Sequence, residues 1–99
     1  MTEVLECVIF ATSDGVDRDD FIVAAEASMQ WARTQEGFVS RELFETDDGR
    51  WIDTVRWASM DAAHAAAAGI GTAPETQAFI SKIDGPSVQM MHARRAADA

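Results

Sequence analysis

The chain has 99 residues, 47% of them apolar and 25% charged, which suits one globular domain and is too apolar for a disordered segment. Eight Lys and Arg stand against 17 Asp and Glu, a formal charge of −9. That balance argues against nucleic acid, whose binding needs cations to neutralise phosphates, and against an anionic membrane surface.

The first residues, Met1-Thr2-Glu3-Val4-Leu5-Glu6, have no basic stretch, and Glu6 interrupts the apolar run, so they do not read as a targeting segment. No apolar run approaches the ~20 residues that cross a bilayer. Cys7 is the single cysteine; without an internal partner it points to a reducing cytoplasm. Cys7, His64 and His92 are too sparse a set for structural zinc. Gly15, Gly69 and Gly71 make no phosphate-cradling loop, so no cofactor is expected.

Residues 3–11 read as a strand rich in β-branched and aromatic types. Leu5, Cys7, Ile9 and Ala11 share one face and Val4, Glu6, Val8 and Phe10 the other. Both faces are largely apolar. Ser13-Asp14-Gly15 breaks the strand. Asp17 is an N-cap candidate with Asp20 three residues on, and acids in the first turn suit the helix dipole. A helix is predicted over 17–34, with Phe21, Ile22, Ala25, Met29 and Ala32 as its core stripe.

Two strands follow, 37–46 and 50–58, joined through Asp47-Asp48-Gly49. A two-residue turn would set Arg41 opposite Arg56, which like charges disfavour. A three-residue turn with Gly49 left-handed pairs Thr46 with Arg50, and this register is preferred. It brings Glu42 diagonal to Arg56 and Arg41 diagonal to Asp53. One face then carries Val39, Leu43, Trp51, Val55 and Trp57. The other carries Phe38, Ser40, Glu42, Phe44, Ile52, Thr54, Arg56 and Ala58.

Ser59 caps a second helix built on an alanine run from Asp61 to Ala68, ended by Gly69 or Gly71. A short helical piece lies within 72–83, with Pro74 in its first turn and Ala78, Phe79 and Ile83 as its contact side. Residues 87–94 form a last strand, with Val88, Met90 and His92 on one face and Gln89, Met91 and Ala93 on the other. Residues 95–99 read as a frayed tail.

The order strand, helix, strand, strand, helix, strand with right-handed crossovers gives a ferredoxin-like βαββαβ sandwich, an α+β fold on a four-stranded antiparallel sheet. Its helices cover one face only. The other face keeps Val4 or Leu5, Phe10 or Ile9, Phe38, Phe44, Ile52 and Val88, more apolar surface than monomers usually expose. A homodimer packed sheet to sheet is expected.

Three segments carry a family resemblance: Gly37-Phe38-Val39-Ser40-Arg41-Glu42-Leu43-Phe44, the Asp-Asp-Gly turn, and Trp57-Ala58-Ser59-Met60-Asp61-Ala62-Ala63. In these the chain, over about residues 3–94, resembles the antibiotic-biosynthesis-monooxygenase-type domains of the dimeric α+β barrel superfamily. The resemblance implies a dimeric barrel with a small-molecule pocket. It also implies either cofactor-independent oxygenation of an aromatic or polyketide-like substrate, or a non-catalytic binding or interaction module. Haem-degrading relatives use an Asn on the first strand, a Trp in the second helix and a later His. Here the first strand offers Glu6, Cys7 and Val8, the second helix is alanine, and no histidine lies between His64 and His92. Related oxygenases rely on Asn, Trp and Tyr, and this chain has no Asn and no Tyr.

Glu42 and Arg56 are the first catalytic candidates, expected mid-strand on the face lining the barrel interior. Arg56 would hold a carboxylate or enolate oxygen and Glu42 would move a proton; the bland alternative is a cross-strand ion pair. His92 is expected on that same face as a general base near Glu42 or Glu6, or else a hydrogen-bonded strand histidine. Glu6 interrupts an apolar face and needs a partner, Arg56 or His92. His64 points to solvent or over the pocket entrance. Trp57 is favoured over Trp31 and Trp51 to wall a pocket for a flat ring. Cys7 reads as a small buried apolar group.

Overall fold

A computed structural model describes residues 3–99. Strand β1 is Val4–Phe10, helix α1 Arg18–Arg33, strand β2 Phe38–Glu45, strand β3 Trp51–Trp57, helix α2 Met60–Ile70, helix α3 Gln77–Ser81 and strand β4 Gln89–Arg94. The sheet runs β2-β3-β1-β4 with every neighbouring pair antiparallel. This is the expected ferredoxin-like sandwich.

The local signals act as the chemistry requires. Asp17 accepts a hydrogen bond from the Asp20 backbone N–H at 3.0 Å, and Ser59 from that of Ala62 at 3.1 Å, so each helix gains a partner for an otherwise unpaired donor. Gly49 has φ +85° and the Thr46 N–H donates to the Arg50 carbonyl at 2.8 Å. The three-residue turn therefore sets the register, and Leu43 stands opposite Asp53.

Helices cover the face that carries Val4 and Phe10 of β1 and Trp51, Val55 and Trp57 of β3, all buried. α1 brings Phe21, Ala24, Ala25, Ser28 and Ala32 to that core. α2 brings Ala63 and Ala66, and its small side chains let it lie close to the sheet. At Gly37 the backbone has φ +82°, and an added Cβ would come 2.5 Å from the Ala62 Cβ. Only glycine suits that start of β2.

Several sequence expectations need correction. Phe38 stands opposite Trp57 and Ser40 opposite Arg56, so Val39 is an extra residue in a β-bulge. The bulge turns Phe38 to the helix side, where its ring meets Trp57 edge-on at 5.8 Å, and leaves Val39 exposed. The alternation had put both on the opposite faces. The segment after α2 is a 3-10 turn, Pro74–Thr76, running into α3, with Phe79 buried and Ala78 exposed. Gly71 caps α2 at φ −70°, not left-handed. The last strand starts at Gln89, because residues 85–87 form a 3-10 turn around Pro86, and Val88 lies outside it.

The far face of the sheet thus carries Leu5, Cys7 and Ile9 of β1, Ile52, Thr54 and Arg56 of β3, Ser40, Glu42 and Phe44 of β2, and Met91 of β4. No helix among the described residues packs on it. No helix among them is long and apolar enough to cross a membrane.

Candidate functional site

Under the helices, two rows of the sheet carry charge where a core would carry methyl groups. One row reads His92, Glu6, Val55, Arg41 across β4, β1, β3 and β2. The next reads Met90, Val8, Asp53, Leu43. The Arg41 guanidinium grips Asp53 with two parallel hydrogen bonds, Nε to Oδ1 at 3.0 Å and Nη2 to Oδ2 at 2.7 Å. Both side chains are under a tenth exposed. The fork geometry satisfies both carboxylate oxygens, which a buried pair needs to offset its desolvation. Arg41 also lies over the Phe79 ring, 5.1 Å from its centre.

Glu6 meets its partner across the β1–β4 ladder: its Oε1 lies 3.3 Å from the His92 Nε2. Both side chains are largely buried. The His64 ring, on the exposed side of α2, stands edge-to-face against His92 with centres 5.8 Å apart.

Glu6 and the Arg41–Asp53 pair border a cavity of about 150 Å³ between the sheet and α2. Glu6, Arg41 and Asp53 supply its charge, Trp31 and Trp57 its flat walls, and Ala66, Ala67 and Ile70 of α2 its roof. Trp57 holds the one buried side-chain polar atom without a hydrogen-bond partner among the described residues, its indole Nε1. A buried donor left unmet costs roughly 1–3 kcal/mol.

The six candidates separate. Glu6, His92 and Trp57 lie on the helix side of the sheet, and Glu6 and Trp57 line the cavity. His64 abuts His92 without lining it. Glu42 and Arg56 are exposed on the far face. His92 therefore shares a face with Glu6 and not with Glu42 and Arg56, contrary to expectation. Arg41 and Asp53 line the cavity without having been candidates, and Trp31, passed over in favour of Trp57, lines it too. The register argument had already paired Arg41 with Asp53; what it lacked was the knowledge that helices would seal that face. Among the described residues no group of three or more His, Cys, Asp or Glu comes together to hold a metal ion.

No family model matches the chain, and no curated protein matches it. Solved structures do. SnoaB, a cofactor-independent oxygenase from Streptomyces nogalater, superposes with TM-score 0.71 at 20% identity, covering 100% of this chain and 96% of that one. A monooxygenase from the ActVA-Orf6 gene of Streptomyces coelicolor, bound to nanaomycin D, gives TM-score 0.75 at 17% identity over 99% and 91%. A candidate antibiotic biosynthesis monooxygenase from Bordetella bronchiseptica gives 0.77 at 12% identity over 98% and 100%. The chain has the fold of the antibiotic-biosynthesis-monooxygenase domains. At such identities the likeness is one of architecture, and the roles of individual residues rest on the cavity itself.

Proposed function

We propose that the protein binds a small aromatic or polyketide-like molecule in the cavity and oxygenates it without a cofactor, as a homodimer. The observation that carries this reading is a cavity walled by two tryptophans with the Glu6 carboxylate in its lining. Flat walls favour a planar ring. A carboxylate at the same cavity, Glu6, supplies a base.

The electrons come from the substrate. Loss of a C–H proton leaves an enolate or carbanion. Its electron pair reduces dioxygen, one oxygen atom stays on carbon, and the other leaves as water with the two hydrogens removed. The structural neighbours described as cofactor-independent oxygenase and monooxygenase support this class of chemistry.

A second copy of the chain covers the far face, where Leu5, Ile9, Phe44, Ile52 and Met91 lie; Phe44 and Met91 are each 50% exposed. Burying such a side chain contributes roughly 1.5–3 kcal/mol. Glu42 and Arg56, on that face, belong to the sheet-to-sheet contact. A lone thiol at Cys7 stays reduced in the cytoplasm, where we place the protein.

One observation favours a second reading, a non-catalytic binding module: Glu42 and Arg56 are exposed. Against it stands the charged cavity interior. Anthrone, a carbon acid that enolises to an electron-rich ring, separates the two. We expect it to bind and to consume oxygen, with a product that has gained one oxygen and lost two hydrogens. Trp57→Ala, which removes one flat wall, should weaken binding about three- to tenfold. Binding without oxygen uptake would select the module; no binding would remove both readings. Sedimentation at micromolar concentration should give a dimer, and a monomer would refute the sheet-to-sheet contact.

A further inference from the structure

We propose that Glu6, His92 and His64 form a proton exit that leads from the cavity to solvent. The inference rests on reading the cavity as a site of proton abstraction. It assigns the route by which the proton leaves, and it makes Glu6 the catalytic base and the two histidines relay residues.

The three side chains run outward in order of exposure. Glu6 lines the cavity with its side chain 15% exposed, and His92 behind it is 21% exposed. His64, on α2, is open to solvent. The links between them are a carboxylate–imidazole contact of 3.3 Å and an edge-to-face imidazole pair with ring centres 5.8 Å apart. A structural role for Glu6 would call for one partner. It does not account for a second imidazole set against the first at the protein surface.

The proton moves in three steps. A ligand C–H bond breaks, an O–H bond forms on Glu6, and the electron pair stays on the ligand as its enolate. Glu6 then donates to Nε2 of His92, in the tautomer whose proton sits on Nδ1, and regains its negative charge. The imidazolium releases its Nδ1 proton through water to His64, and His64 gives it to solvent. His92 is flanked by Met90 and Arg94 on its own strand face, by Glu6 on β1 and by His64 on α2.

The test uses anthrone carrying deuterium at its methylene carbon, bound to the full chain in ordinary water under nitrogen. Oxygenation cannot follow there, so loss of deuterium reads the proton route alone. The wild-type protein should wash the label out. Glu6→Gln should slow washout about a hundredfold. His64→Gln, a change on the exposed side of α2, should keep anthrone affinity while slowing washout on the order of tenfold. Millimolar imidazole should restore the rate in His64→Gln and not in Glu6→Gln. Washout at the wild-type rate in His64→Gln and His92→Gln, with anthrone still bound, would overturn the relay and leave the proposed function standing. Failure of the wild-type protein to bind anthrone would overturn both.

Discussion

The helix-covered face of the sheet holds two half-cores built on opposite plans. The half beside the β2–β3 hairpin is filled by rings. Phe21 meets Phe10 edge-on at 5.8 Å, stacks on Phe79 at 5.5 Å and lies 4.8 Å from Trp51, and none of the four is more than 6% exposed. The half beside the start of α2 sets Val55 and Trp57 under Ala63 and Ala66. Four interlocked rings pack densely and need no hydrogen bonds within their contact. An alanine helix comes close to the sheet yet cannot fill the space around an indole, so a cavity remains. The Arg41–Asp53 pair borders this cavity, and Arg41 reaches over Phe79 into the filled half. One half serves stability and the other keeps room for a ligand.

The contrast can be broken most directly at Phe21, which is fully buried. Phe21→Ala should destabilise by about 3–5 kcal/mol in urea unfolding, because the stack around it cannot collapse. A cost below about 1 kcal/mol would mean that the filled half is not the anchor. Next in size is Asp53→Asn, which leaves the Arg41 guanidinium buried without its counter-charge. We expect a loss of about 3 kcal/mol, largely recovered in the Arg41→Met, Asp53→Asn double variant, as a double-mutant cycle would show. A single variant as stable as wild type would detach the charged pair from the core.

The smallest effect sharpens the comparison from outside both halves, at the turn that sets the register of the filled one. Hydrogen bonds first from the Thr46 hydroxyl and then from the Arg50 guanidinium hold the Asp48 carboxyl at about 2, below its ordinary 3.8. Its folded pKa is depressed, so the stabilisation is present above 3.8 and is lost as pH falls toward about 2. Because the group is fully exposed, salt and solvent weaken the effect. The melting temperature of the wild type should fall slightly relative to Asp48→Asn across that window and run parallel to it above. A carboxyl titrating at its ordinary value by NMR would dismiss the turn contacts.

The amino-acid sequence by itself determined the element order, the Asp17 and Ser59 caps, the Gly49 turn and the register that sets Arg41 against Asp53. Each depends on neighbours a few residues apart, or on one turn length propagated along two strands. The tertiary structure decided the rest. Period two tells which residues share a face and not which face the helices cover, so Glu42 and Arg56 stand outside while Arg41 and Asp53 are sealed within. One extra residue at Val39 exchanged it with Phe38 between the two faces. Glu6 found His92, and not Arg56, because Arg56 on the neighbouring β3 points to the opposite face, while His92 stands directly across from Glu6 on β4, 86 residues away in the chain. The empty space beside Trp57 exists only because alanines of α2 dock over it, and docking is a property of the whole fold.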